Sequence, residues 1–399
     1  MDKIHVKTLT IENVGRFGKT VIDFNEKFNL ICGPNGSGKS TILDCIASFF
    51  SRTFGYPFPI KKRSSSDFGT LELVFFNSDN IFNKSSFSFK VNGVSPDEKE
   101  YANINELKGK GKYILKFNAQ RDFPYSKISS ISTDPSFRDS DWSNFCQIGI
   151  QFSGAKEWFI RRYLFSDKGG ALSEQNLANF ELAKSSFSIL DPDVSFEKIM
   201  GNSFDIILKS KNGSVYLEKM SDGYKGAIYI LLGLIKELDY RFPDENCNNF
   251  SGIILIDEIE LHLHPLWQIK LLSKLRELFT YAQFIITSHS PNLMQTIPDS
   301  SELIMLKEDE NGEVVAFHPE GNDYGFNGYR IDEIMKELMG LSSEYSEAFE
   351  SVYKEFEGAL KNKDIEKVHK YKEILLKMLS QNDELRDIIN INSSGVYIN

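Results

Sequence analysis

Short apolar runs, most of them closed by a turn or by a helical pattern, give this chain its outline. MDKIHVKTLTIENVG alternates apolar and polar positions as a half-buried strand does. Phe28–Cys32 predicts a second strand and Ile42–Phe49 a helix, and Tyr113–Phe117 is again strand-like. Asp205–Leu217 reads as a hairpin turning at Asn212-Gly213, and an apolar helix over Ala227–Leu238 follows. Ile253–Ile256 and Phe284–Thr287 are consecutive β-formers, predicting strands buried on both faces, the habit of a parallel sheet. Between them Pro265 predicts the start of a helix over Leu266–Phe279, because proline suits the first helical position. Leu303–Leu306 and Val314–Phe317, with Asn311-Gly312 as their turn, close the strand pattern. Tyr324–Gly340 reads as a loop leading into a short helix. Phe349, Val352, Tyr353, Phe356 and Leu360 then follow helical spacing, and Asp364 caps a second helix bearing Ile365, Val368, Tyr371, Leu375 and Met378. Such a hairpin, apolar on one stripe and charged outside, either packs on the rest of the chain or docks another protein.

Composition narrows the class. With 399 residues, 41% of them hydrophobic, the chain can bury a large core and holds two or three structural units. It has no run of about 18 apolar residues and no apolar signal-peptide core at its start, so the expectation is a cytoplasmic protein without a membrane span. Cys32, Cys45, Cys146 and Cys247 lie far apart without C-x-x-C spacing, which argues for a reduced compartment and against a disulfide framework or zinc site. A net charge of −10 disfavours an autonomous DNA-coating protein. The basic clusters Lys61-Lys62-Arg63, Lys108–Lys112 and Arg161-Arg162 can still supply a local phosphate-binding surface, or simply face solvent.

The chemistry concentrates in four places. GPNGSGKS, at Gly33, Pro34, Asn35, Gly36, Ser37, Gly38, Lys39 and Ser40, satisfies every fixed position of the G-x-x-x-x-G-K-[ST] phosphate loop and stands between a strand and a helix. Its backbone N–H groups can curl round phosphate oxygens where side chains do not crowd them. The helix adds its positive end, Lys39 reaches the β- and γ-phosphates, Ser40 can hold Mg²⁺, and Thr41 completes the nucleotide-binding set. Met220-Ser221-Asp222-Gly223-Tyr224 opens an apolar helix and offers a second anion-binding terminus, which one nucleotide in one chain does not need. Asp257 and Glu258 end the buried strand where open α/β sheets bind ligands; Asp257 would order the Mg²⁺ water shell and Glu258 would polarise the attacking water. His262 and His264 have metal-ligand spacing beside Glu258 and Glu260, but no third compact ligand set accompanies them. His289 ends the next strand, placed to contact the γ-phosphate.

The ordered set GPNGSGKS, MSDGYKG, IILIDEIELHLHP and FIITSHSP resembles the ATP-binding-cassette ATPase heads of the SMC, RecF and OLD class. The resemblance covers most of residues 1–315. It implies an α/β fold with a parallel core sheet, flanking helices and an N-terminal antiparallel β part, binding ATP and Mg²⁺. It makes Gly33–Ser40 the Walker A loop, Asp257 and Glu258 the Walker B pair, Ser221 and Gly223 the cassette signature, Glu260–His264 the D-loop and His289 the switch histidine. Gln120 is its candidate glutamine-loop residue, with Arg121 beside it. Such heads dimerise, or form higher even oligomers, each signature capping the partner's γ-phosphate. Two departures stand out: the transporter-type LSGGQ reads MSDGY, and too few residues separate Lys39 from Asp257 to contain a long coiled coil. Residues 128–200 are therefore expected to form a compact, partly helical insertion between head segments 1–127 and 201–319, with a helical tail at 320–399. RIDEIMKELMG and that tail are similar to the ATPase subunits of Septu-type anti-phage systems, which act with an HNH nuclease. The alternatives are a RecF-like ATPase that clamps DNA, and a head whose tail carries an anticodon nuclease built from Arg330, Glu333 and His369. The tail is too short for the Toprim nuclease domain of OLD proteins.

Overall fold

Strands β1 (Ile4–Val14), β2 (Phe17–Asp23) and β3 (Phe28–Cys32) open the chain, and the phosphate-loop sequence turns into helix α1 (Lys39–Phe50). The computed structural model describes residues 3–51, 60–77, 85–95, 107, 109–121, 125, 127–128, 130–151, 153–341, 343 and 345–394. Strands β4 (Gly69–Asn77) and β5 (Ser85–Val91) complete an antiparallel sheet in the order β2-β1-β4-β5. Strand β6 (Ile114–Phe117) returns to the centre. Helices α2 (Asp139–Ile148), α3 (Ser153–Ser166) and α4 (Glu174–Ser186) follow, then a small sheet of β7 (Ser195–Ile199), β8 (Ile206–Ser210) and β9 (Gly213–Tyr216). The long helix α5 (Asp222–Arg241) leads to β10 (Ile253–Ile256), α6 (Pro265–Leu278), β11 (Gln283–Ser288) and the single turn α7 (Pro291–Met294). Strands β12 (Leu303–Glu308) and β13 (Val314–Phe317) and a helical turn, α8 (Ile331–Glu333), finish the first compact unit, Met1–Ile334.

The main sheet has the order β13-β12-β3-β11-β10-β6, parallel except for the edge strand β13. Strand β11 therefore lies between the phosphate-loop strand and the Asp-Glu strand. Register places Ser288 beside Cys32, and Ile256 beside both Ile286 and Phe117. Four strand ends thus deliver Gly33, His289, Asp257 and the residues after Phe117 to one edge, the edge where parallel sheets bind ligands. All five residues of β3 and all four of β10 are buried, which is why neither strand alternates in sequence. The two large sheets are joined by Gln283, buried at the start of β11. Its side chain accepts from Val6 N–H (2.7 Å) and donates to the carbonyls of Val6 and Asn25 (2.8 Å each).

The segment 128–200 is part of the first unit. Phe159 meets Phe180, Phe187 and Phe196, each at 5.3 Å between ring centres. Asp239, buried on α5, accepts from Trp158 Nε1 (2.9 Å), Arg162 Nη2 (2.6 Å), Asn176 (3.0 Å) and Asn179 (3.0 Å). These bonds satisfy a buried carboxylate and bolt α3 and α4 to α5. Arg161 and Arg162 are consumed in this network, with Asp134 as a shared carboxylate, so the pair is not a phosphate-binding surface. Arg63 pairs with Glu313 at 2.7 Å, and Lys110 and Lys112 lie over the Tyr113 ring; Lys108 is outside the described residues. In the 205–217 hairpin the turn centres on Lys211-Asn212, and Gly213 already pairs with Ser210.

Residues 320–334, which the sequence groups with the tail, belong to this first unit: Phe326 is fully buried, and its N–H donates to the Ile297 carbonyl at 2.8 Å. The second unit, Met335–Asn399, is built on α9 (Glu347–Lys361), α10 (Ile365–Met378) and α11 (Leu385–Ser394). Ser346 and Asp364 cap the first two, accepting from Phe349 N–H and Lys367 N–H. Its core is Phe349, Phe356, Ala359, Val368, Leu375, Leu379 and Ile389. The expected hairpin is thus a three-helix unit. LRDIININSS has poor helix formers, but Asp383 accepts from Leu385 N–H (2.9 Å) and Arg386 donates to the carbonyls of Leu376 (2.6 Å) and Leu379 (3.0 Å).

Candidate nucleotide-binding site

The phosphate loop depends on glycine where the chain is tightest. Gly38 has φ 93°, and a Cβ there would stand 2.7 Å from the Phe17 ring. Lys39 is buried and donates to the carbonyls of Gly33 (3.1 Å) and Pro34 (2.9 Å). Burial pushes its pKa down, while the nearby carboxylates Glu258, Asp257 and Glu260 oppose that shift. The Ser37 hydroxyl is buried without a hydrogen-bond partner among the described residues. A buried cation held by neutral carbonyls and an unsatisfied hydroxyl in one loop are the groups an anionic phosphate would satisfy. Arg16, from the β1–β2 turn, donates to the Gly36 carbonyl (3.1 Å) and to the Glu308 carboxylate. Nothing in NVGRFG marks that arginine beforehand.

Asp257 is buried and its Oδ1 accepts from the Thr287 hydroxyl at 2.6 Å. The same Thr287 oxygen accepts the Glu258 N–H at 2.8 Å. Glu258 adopts φ 47°, a left-handed conformation costing a non-glycine residue about 1–2 kcal/mol; strain of this kind persists where the surroundings over-determine it. Glu260 accepts the His289 N–H, and its second oxygen is buried without a partner among the described residues. Ser290 donates to Gln268 Oε1 (2.5 Å), and Gln268 Nε2 donates to the Leu263 carbonyl (3.0 Å), tying the segment after His289 to the D-loop segment. Ser40 is exposed at the start of α1. Ser40 and Asp257 offer the hydroxyl and carboxylate oxygens that suit a hard cation such as Mg²⁺.

The structure gathers Lys39, Asp257, Glu258, Glu260 and His289 at this edge. Gln120 is exposed beyond the end of β6, whereas Arg121 turns inward and donates from Nη2 to the carbonyls of both Asp257 and Glu258. Burial lowers its pKa to about 10. Ser221 caps α5 by accepting from Tyr224 N–H (3.3 Å), and Gly223 sits on the D-loop: a Cβ there would be 2.4 Å from the His262 carbonyl. Tyr224, at the glutamine position of the transporter signature, is buried and donates to the Phe187 carbonyl at 2.6 Å, an anchor to the end of α4. His264 caps α6 and His262 takes φ 63° in the loop. Arg330 and Glu333 form the cap of α8, where Glu333 accepts the Arg330 N–H; His369 lies in the second unit beside Glu373.

Burial, then Lys39, hold the His289 imidazole below its ordinary value of 6.5. The unfolded chain therefore takes the proton first as pH falls. Stability from the neutral folded imidazole is complete above about 6.5 and declines as pH drops towards the depressed folded value. Thermal melts at pH 7.5 and 5.5 should show a smaller acid loss for His289→Gln than for the native chain; equal losses would show that His289 does not contribute to this window.

A family model described as "AAA domain, putative AbiEii toxin, Type IV TA system" matches residues 28–295. The chain is 35% identical over 395 residues to the Septu protein PtuA of Bacillus thuringiensis, covering 97% of each. It is 24% identical to the "Retron Ec83 probable ATPase" of Escherichia coli, covering 76% of this chain and 72% of that one. Among solved structures, an SmcHead bound to the C-winged helix domain of ScpA aligns with a TM-score of 0.49 and 18% identity, over 79% of this chain and 98% of that one.

Proposed function

The chain belongs to the Septu PtuA family of ATPases, and we propose that two copies close around ATP and so govern an HNH-type nuclease in anti-phage defence. In each pocket the loop N–H groups and Lys39 hold the phosphates. Glu258 takes a proton from a water attacking the γ-phosphorus, the bond to the β-phosphate oxygen breaks, and ADP and phosphate leave. Ser40 and Asp257 would hold Mg²⁺, which offsets phosphate charge. Neutral His289 contacts the γ-phosphate, and Ser221 and Gly223 of the second copy cap it.

One observation carries this reading. Ser221 and Asp222 open the 20-residue helix α5 in solvent, while Gly223 is seated on the chain's own D-loop. The helix end and the D-loop thus form one rigid, outward-facing surface suited to a second copy.

The tail supplies the contact with the nuclease in this reading. Ile388 and Ile391 on α11 are 47% and 69% exposed beside a filled core. The test uses the full chain and a purified HNH-type nuclease as the candidate partner. DNA cleavage should change several-fold when ATP is added. The double variant Ile388→Lys, Ile391→Lys should lose the nuclease in pull-downs while keeping its ATPase rate. Cleavage indifferent to ATP would defeat the regulatory reading, and unchanged recovery would remove the tail from it.

A further inference from the structure

Arg121 is a buried cation at the site to which this mechanism gives no role. It lies just past β6 and is 6% exposed, and its Nε has no partner among the described residues. Its Nη2 donates to the carbonyl of Asp257 and, at 3.0 Å, to that of Glu258. From the opposite side Thr287 accepts the Glu258 N–H and donates to the Asp257 carboxylate. Both ends of the Glu258 residue are therefore held, its N–H by a buried hydroxyl and its carbonyl by a buried guanidinium. Glu258 is the residue that needs such a hold. Its φ of 47° has to be imposed by neighbours, and the direction of its carboxylate depends on that backbone.

We propose that Arg121 is a positioning residue for hydrolysis, clamping the left-handed backbone of Glu258 so that its carboxylate meets the attacking water. The proposal rests on Glu258 being the base. It separates Arg121 from the phosphate ligands, since its contacts are to Walker B carbonyls. It also explains why an arginine is used. A fork of rigid N–H donors can span two successive carbonyls, and its charge survives burial.

The experiment is steady-state hydrolysis with ATP affinity measured in parallel, on full-length Arg121→Met and Arg121→Lys. The methionine variant should lose turnover on the order of a hundredfold, the scale of a misplaced catalytic group. ATP affinity should stay within roughly threefold, because the lost interaction acts only in the reaction. The lysine variant should recover part of the rate, since an ammonium can still reach a carbonyl. Hydrogen exchange gives a readout independent of turnover: without nucleotide, the peptide covering 254–263 should lose protection in Arg121→Met. In a Glu258→Gln background Arg121→Met should cost nothing further, because the group being positioned is gone. Should Arg121→Met not fold, reduced turnover with unchanged affinity in Arg121→Lys supports the clamp, and a native rate overturns it. Loss of ATP binding in place of turnover also overturns it, making Arg121 a phosphate ligand. A native rate in Glu258→Gln removes the premise, whereas an inert Glu258→Gln beside fully active Arg121 variants defeats the clamp alone.

Discussion

Glu258→Gln is expected to bind ATP as the native chain does, to hydrolyse it about a thousandfold more slowly, and to accumulate a species of twice the monomer mass. The substitution keeps the shape of a side chain whose backbone is fixed by Thr287 and Arg121. It removes the carboxylate that accepts the proton from water, a contribution of about 10²–10⁴ in rate. Nucleotide affinity should be spared, because the proposed phosphate contacts come from the loop and Lys39. With cleavage blocked, the closed state reopens only by releasing ATP unhydrolysed, so excess ATP drives the population towards it. Rapid filtration for bound ATP, phosphate release and sedimentation with ATP and Mg²⁺ test the three parts. A native hydrolysis rate would take the base away from Glu258, and a persistent monomer at saturating ATP would end the clamp.

The departures from the transporter signature acquire reasons in the fold. Tyr224 is a core anchor whose hydroxyl meets the Phe187 carbonyl. Lys156 on α3 pairs with Glu218, just ahead of Ser221, and with Asp205 at 2.8 Å. Together with the bonds into Asp239, these contacts fix α3 and α4 to α5 and to the residues just ahead of Ser221.

The strands that build the site were legible because each is a short, mostly apolar run ending in candidate site residues: Phe28–Cys32 before Gly33, Ile253–Ile256 before Asp257, Phe284–Thr287 before His289. A parallel sheet aligns such ends, and register did the rest. What the sequence hid is of another kind. Arg121 and Thr287 act through backbone atoms of residues 257 and 258, and such contacts leave no spacing pattern. Gln268 reaches Ser290 only because the fold sets α6 against the turn that follows β11. The third tail helix was hidden because its sequence disfavours helix and its formation depends on Arg386 and Ile389 meeting α10. Arg161 and Arg162 looked like surface charge, and only the fold brings Asp134 and Asp239 to them.

Lys39→Ala is expected to abolish ATP binding at concentrations that saturate the native chain. Lys39 is the buried cation of the phosphate loop, held by the Gly33 and Pro34 carbonyls and ready to exchange them for phosphate oxygens. Charge-assisted contacts to a triphosphate are worth about 1.5–3 kcal/mol each, so losing those made by Lys39 should weaken binding by one hundredfold or more. Without nucleotide the variant should melt near the native temperature, because the substitution removes a buried charge held by two neutral carbonyls together with its desolvation cost. With nucleotide the native chain should gain several degrees and the variant none. Mixing separates this defect from a lost signature. Chains carrying Lys39→Ala and chains carrying Ser221→Arg should each be inactive alone. In a mixed dimer one pocket combines the intact Lys39 of the second chain with the intact Ser221 of the first, so mixing should restore part of the hydrolysis. If mixing restores nothing while both variants fold and pair, the two residues do not complete one pocket across two chains, and Ser221 loses its role as the cap of a partner's γ-phosphate.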